Sequence, residues 1–185
     1  MVTDTIDKFG RLDGLVNNGG GQFWSPAENI SPGGFHAVVD TNLKGSWNCM
    51  QEAYHQYMGE NGGKIVNIVL MSEMGLAGMS HSAAAREAVK NLAITLGAEW
   101  AGNNIQINCV APGIFPSETA VAAYGEQVNL GRLYYRAKRV IFSRKKSSTR
   151  VLQMCQKSAS EICTKEKVFL KEHSHSISFR RFCLI

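Results

Sequence analysis

Three consecutive glycines, Gly19-Gly20-Gly21, follow a short apolar run and a pair of asparagines, Asn17-Asn18. Glycine reaches backbone conformations closed to other residues and puts no side chain between the main chain and a ligand. After a strand, such a run lets the chain turn sharply and bring peptide groups close to a bound molecule. A plain flexible loop has the same composition, and on glycine count alone the two readings are equal. Asn42 is a second candidate. It sits inside an apolar stripe of helical period that runs from Gly34 to Tyr57. A primary amide on a core-facing side must find partners, in local backbone or in a site; the residues alone favour the structural role. Cys155, Cys163, His173, His175 and Cys183 are metal-ligand types, but their spacings match no compact zinc pattern, so no metal is expected.

The elements that position these groups follow from periodicity. Residues 2–9 read as the end of a helix with Gly10 as its C-cap. Leu12–Asn17 reads as a short strand breaking into the glycines, and residues 34–57 as a helix. Residues 64–70 are β-branched and apolar, and 71–79 form a loop at the carboxyl end of that strand. A helix then runs from 80 to 101, with Ser80 or Ser82 as N-cap and Ala85, Ala88, Val89, Leu92, Leu96 and Trp100 on its apolar face. Asn103-Asn104 closes it. The strand from Ile105 ends at Pro112, which has no N–H for a ladder. Residues 62–113 are therefore a strand–helix–strand unit. Strands apolar on both faces belong to a buried parallel sheet, so the fold class is α/β. Residues 114–139 read as a loop and a weak helix. Val151–Leu170 reads as a modest helix, while His173–Ser176 and Phe179–Phe182 suit no packed element.

At 185 residues and 44% hydrophobic content the chain fits one globular domain. No apolar run approaches the ~20 residues that cross a bilayer. The start, Met1-Val2-Thr3-Asp4, is not a signal peptide, and five widely spaced cysteines read as reduced thiols inside a cell. Charge is uneven. Residues 1–125 hold 6 Lys+Arg against 11 Asp+Glu, and residues 126–185 hold 14 against 4. The basic pI thus belongs to the last third. Nucleic acid or an anionic membrane could exploit that charge, but a solvated, disordered tail is the expected reading. Nucleic acid is the partner least favoured, since no RNA or DNA motif accompanies the charge.

Asn17-Asn18-Gly19-Gly20 after a strand resembles the Asn-Asn-Ala-Gly motif of short-chain dehydrogenases/reductases. The match extends to Asn42-Leu43, to Gly63-Lys64-Ile65-Val66-Asn67-Ile68 and to Ile107-Asn108-Cys109-Val110-Ala111-Pro112-Gly113. More narrowly, Leu15 to Phe23 followed by Ser25-Pro26-Ala27-Glu28 is similar to the peroxisomal trans-2-enoyl-CoA reductases. So are His81 to Arg86 and Thr119-Ala120-Val121 before Tyr124-Gly125. The resemblance covers residues 1 to about 140. It implies a doubly wound, Rossmann-like parallel sheet binding NADPH at its carboxyl edge, and reduction of a fatty enoyl-CoA by hydride transfer to the β-carbon. It further implies that Asn17, Asn18, Gly19 and Gly20 line the adenosine side, that Pro112, Gly113 and Ile114 approach the nicotinamide, that Ser117 lies near the pyrophosphate, and that Asn42 supports the catalytic region.

Three departures qualify these expectations. Residue 1 already corresponds to the helix before the family's fourth strand, so the Gly-rich pyrophosphate turn has no counterpart and only the later half of the sheet is expected. The family's Ser, Tyr and Lys align with Val69, Ser82 and Arg86, and a tyrosine expected one turn further along is Lys90. Arg86 keeps a charge with another donor geometry, and an ammonium at Lys90 is a candidate enolate stabiliser. Finally, an unrelated segment replaces the family's last helix and strand, which divides the chain into an incomplete reductase domain, 1–140, and a basic tail, 141–185. The strand at Leu12–Val16 is then expected to present a bare edge. Unpaired buried groups cost roughly 1–3 kcal/mol each against a stability of about 5–15 kcal/mol, so a marginal or aggregating protein is expected unless a partner covers the edge. Poor NADPH binding and little turnover follow. The alternative is a non-catalytic module pairing with full-length subunits through helices 34–57 and 80–101. The family implies a peroxisome, but Phe182-Cys183-Leu184-Ile185 is neither an import tripeptide nor a prenylation box, so the cytoplasm is equally expected.

Overall fold

In the computed structural model, residues 1–72 and 75–112 are described in full, and 150–154 and 182–184 by their backbone. The apolar runs become three adjoining parallel strands: β1 (Gly14–Asn17), β2 (Gly63–Ile68) and β3 (Ile105–Pro112). Register aligns Leu15 with Ile65 and Ile65 with Ile107. All three side chains are fully buried, each burial worth about 1.5–3 kcal/mol. Two residues further along, Asn17, Asn67 and Cys109 form the next row. An apolar floor thus carries a polar row where the strands approach their carboxyl ends. As expected, β3 ends at Pro112.

Helix α1 (Val2–Phe9) ends at Gly10, whose φ of 70° lets its N–H donate to Ile6 O at 2.6 Å, as the composition predicts. The stripe predicted over 34–57 lies in a longer helical run. It opens at Ser31, whose side chain accepts the Gly34 N–H, with Pro32 in the first position. The run comprises α2 (Pro32–Val39), α3 (Gly45–Ala53) and α4 (Gly59–Asn61), joined by π-helical turns at Asp40–Lys44 and Tyr54–Met58. Helix α5 (Ser80–Glu99) packs on β3 and β2 and against α2 and the first π-turn. Neither serine caps it. Met79 holds the N-cap position without a side-chain bond, and Ser82 is buried. Asn104 closes the following turn in the left-handed region, φ 56°.

The edges differ from expectation. The sheet has five parallel strands in the order β4-β3-β2-β1-β5, where β4 is Arg150–Met154 and β5 is Phe182–Leu184. Gly14, Leu15 and Val16 pair with Phe182, Cys183 and Leu184, so the edge of β1 expected to be bare carries a strand. Residues 150–154 begin no helix; they pair with Asn108–Pro112. Ladder bonds reward any extended segment that reaches an open edge, whatever its side-chain pattern, which is why composition did not reveal these strands. The weak helix expected within 114–139 and the rest of that over 151–170 lie outside the described residues, as does the cysteine–histidine set except for the backbone of Cys183.

Candidate functional site

The site lies at the carboxyl ends of β1 and β2. After Asn17 the chain turns through the glycines, and Asn42 determines where they go. Its Oδ1 accepts the Gly21 N–H at 3.0 Å and its Nδ2 donates to Gly21 O at 2.8 Å, while the side chain is 1% exposed. Asn42 thereby holds one peptide residue of the glycine turn from both sides. It sits in the first π-turn, a distortion often found at functional sites because it redirects a side chain within a helix. Gly20 is required by close packing, since a Cβ there would collide with Arg86 Nη2 and Asn42 Oδ1. At Gly21 a Cβ would meet nothing within 4 Å, so its peptide faces open space.

The opposite wall is the end of β2, Ile68–Leu70, and Arg86 spans the gap from the second turn of α5. Its Nη1 donates to Ile68 O at 2.8 Å and its Nη2 to Gly19 O at 3.2 Å. Those contacts use two of the five N–H donors of a guanidinium. Burial disfavours its charged form and lowers its pKa, yet an arginine stays protonated in proteins. Among the described residues no ion pair neutralises it. Between the walls is a cleft of about 380 Å³ lined by Gly20, Gly21, Gln22, Ile68, Val69, Leu70 and Arg86. A cationic fork therefore borders an open cavity beside the exposed glycine turn. Such an arrangement can hold a carbonyl oxygen or an anion.

The other expected residues divide. Asn18, Gly19 and Gly20 are exposed at the mouth. Asn17 is 2% exposed beneath them; its Nδ2 donates to Asn67 Oδ1 at 2.7 Å, and its Oδ1 has no partner among the described residues. It supports the turn from inside the sheet. Pro112 ends β3 with an exposed ring, while Gly113, Ile114 and Ser117 lie outside the described residues. Lys90 does not line the cleft. It is 7% exposed, and its Nζ lies 2.6 Å from Glu87 Oε1. Residue typing missed Gln22, which lines the cleft and accepts a 2.6 Å hydrogen bond from the Ser82 hydroxyl. Its position directly after three glycines was the available signal. Also missed was His81, fully buried against Phe23 with ring centroids 4.4 Å apart. Neither of its ring nitrogens has a partner among the described residues, and burial lowers its pKa. The thiol of Cys109 is pushed up to about 11 by burial and is inert at neutral pH. No cluster of metal-ligating side chains occurs among the described residues, and no described helix is long and apolar enough to cross a membrane.

A parallel sheet with a glycine turn after one strand and a cleft outside the strands' carboxyl ends defines a doubly wound α/β protein. The sequence pattern of the short chain dehydrogenases matches residues 1–127, and the chain belongs to that family. It is 38% identical over 146 residues to a Bacillus subtilis protein described as "Probable 2,4-dienoyl-CoA reductase", covering 72% of this chain and 58% of that one. It is 35% identical over 113 residues to the peroxisomal 2,4-dienoyl-CoA reductase of Rattus norvegicus, covering 60% and 39%. Among solved structures it is similar to a citronellol catabolism dehydrogenase of Pseudomonas aeruginosa, with TM-score 0.62, 29% identity and coverage of 83% and 64%. It is also similar to ElxO with NADP bound, with TM-score 0.64, 28% identity and coverage of 72% and 55%. The chain thus spans about half the length of the curated relatives it matches.

Proposed function

We propose that these residues form the substrate-side half of a nicotinamide-dependent reductase site, whose reaction is reduction of the double bond of a fatty trans-2-enoyl-CoA. The observation that carries the reading is Arg86: a guanidinium without a carboxylate partner, fixed between the glycine turn and the end of β2, facing the cleft. The relatives named as dienoyl-CoA reductases support the substrate class, and the NADP-bound structure supports the coenzyme. The residues present fit the nicotinamide side, because the open peptide at Gly21 leaves room for a flat ring against the Val69 wall. Bound there, NADPH would supply a hydride to the β-carbon of the thioester.

As negative charge moves onto the thioester carbonyl oxygen, a donor already in place stabilises it without reorganisation. Arg86 offers that donor, since its remaining N–H groups flank the two it spends on Ile68 and Gly19. Asn42 fixes Gly21 and with it one wall of the cleft. Asn17, Asn18, Gly19 and Gly20 support or border the mouth, and Pro112 stands at the end of β3 beside it. The rat relative is named as peroxisomal, and a peroxisomal or a cytoplasmic setting suits this reading.

The test is a titration of the 185-residue polypeptide with NADPH, followed by nicotinamide fluorescence, with crotonyl-CoA then added. Weak coenzyme binding and slow crotonyl-CoA-dependent oxidation at millimolar NADPH are expected. Saturation in the micromolar range would overturn the half-site description, and no thioester-dependent oxidation at all would overturn the reductase reading. A non-catalytic reading has one observation in its favour: Phe35 on α2 and Ile94 on α5 are 41% and 51% exposed. Pairing with full-length family subunits through these helices predicts co-purification with such a subunit, lost in an F35S/I94S variant.

A further inference from the structure

The buried lysine on α5 has a use that the cleft itself does not explain. Lys90 has a side chain 9% exposed, and its ammonium contacts Glu87 Oε1 one turn earlier, at 2.6 Å. The same carboxylate oxygen accepts a hydrogen bond from the Ser72 hydroxyl. Ser72 stands two residues beyond Leu70, the last wall residue of the cleft. From Ser72 the loop returns to α5, and the Gly75 N–H donates to Ser72 O at 2.9 Å. The segment leaving β2 is therefore fastened to one helix at two points: at Ile68 O by Arg86, and at Ser72 by Glu87. These bracket Val69 and Leu70.

A lysine buried to this degree, on a helix with an exposed face available, carries a desolvation cost that only a specific partner offsets. Glu87 supplies that partner, and its carboxylate is in turn held for Ser72. Burial alone would raise the Glu87 pKa, but the hydrogen bonds from Lys90 and Ser72 outweigh it and lower the pKa, so the acceptor is ionised at neutral pH. Taking the cleft as the reaction site, we infer that Lys90 is a positioning residue: acting through Glu87 and Ser72, it fixes the Val69–Leu70 wall against α5 and contacts no substrate. Its ammonium is committed to the carboxylate and is not an enolate donor.

Amide hydrogen exchange of the whole polypeptide, without coenzyme or thioester, tests this independently of any reductase activity. The Gly75 amide reports the wall loop, and the Lys64 amide, bonded to Asp13 O at 3.1 Å, reports the sheet. In Ser72→Ala and Lys90→Met the Gly75 amide is expected to exchange about tenfold faster, the factor for one lost hydrogen bond, with Lys64 unchanged. Ser72→Thr and Lys90→Arg are expected to restore protection. If Gly75 exchange stays at the wild-type rate, or if Gly75 and Lys64 accelerate equally in both variants, the positioning role is wrong; failure of the conservative variants to rescue also contradicts it.

Discussion

The two walls of the cleft are built by opposite means. The glycine turn is held by a neutral, buried amide that satisfies both polar groups of Gly21. The end of β2 is held by charge: the Arg86 guanidinium on Ile68 O, and the Lys90–Glu87 pair on Ser72. Glu87 is 46% exposed and the Asn42 side chain 1%, so water and salt reach the clamp on the second wall more readily than that on the first. A neutral clamp specifies one geometry over a wide range of conditions. An ionic clamp can loosen without unfolding the sheet beneath it. The difference gives rigidity to the glycine turn and adjustability to the end of β2.

Breaking the neutral clamp should have the largest effect. Asn42→Ala leaves the Gly21 N–H and C=O without their partner and is expected to cost about 2 kcal/mol of unfolding free energy, measured by urea titration. A loss below a few tenths would mean that water replaces the amide freely and that Asn42 is not the clamp of the first wall. Next comes acid. Burial keeps His81 neutral in the folded protein, whereas the unfolded chain takes a proton below the ordinary value of 6.5. The unfolded state then binds more protons, so stability, fully present above pH 6.5, should fall by up to about 1.4 kcal/mol per pH unit below it. His81→Phe should flatten that part of the stability–pH curve. Because His81 packs on Phe23, just past the glycine turn, this window belongs to the first wall.

Gly20→Ala is expected to cost about 1–2 kcal/mol, since the Arg86 end is flexible and can swing away while the buried Asn42 amide must shift by a smaller amount. Its diagnostic sign is loss of the Arg86 Nη2 contact to Gly19 O, seen as a changed guanidinium resonance. The smallest effect is at Glu87. Its lowered pKa contributes stability above the ordinary value of 4.5 that is lost as pH falls through the folded-state value. With the carboxylate exposed, the loss should stay under about 1 kcal/mol. The two acid windows therefore separate the walls. A Glu87→Gln variant should keep the His81 transition and lose only the one below pH 4.5.

How far the sequence carried this picture depended on the range of each interaction. The parallel sheet, the Gly10 cap, the end of β3 at Pro112 and the importance of Asn42 follow from local pattern or motif. Each is set by residues close in the chain or by a side chain out of place in its stripe. The π-turn that aims Asn42 was not legible, because helices with and without it share one apolar period. The Gln22–Ser82 bond and the Ser72–Glu87–Lys90 chain join residues 60 and 15 apart, and only the folded loops bring them together. The strands at Arg150–Met154 and Phe182–Leu184 come from ladder bonding rather than side-chain pattern, so periodicity was silent there. The sequence offers Lys90 as a candidate donor, whereas in the structure its ammonium pairs with Glu87 one turn earlier and does not line the cleft.

The central claim is that Arg86 spans two walls so that a thioester carbonyl can dock between them. Amide and guanidinium chemical shifts recorded while crotonyl-CoA is added to wild type and to Arg86→Gln test it most directly. Saturable perturbation confined to Gly20, Gly21, Val69, Leu70 and the Arg86 side chain, at least tenfold weaker in the variant, is the expected result, since hydrogen bonds to a charged group contribute about 1.5–3 kcal/mol. Equal perturbation in both proteins, or shifts that avoid these residues, would contradict it.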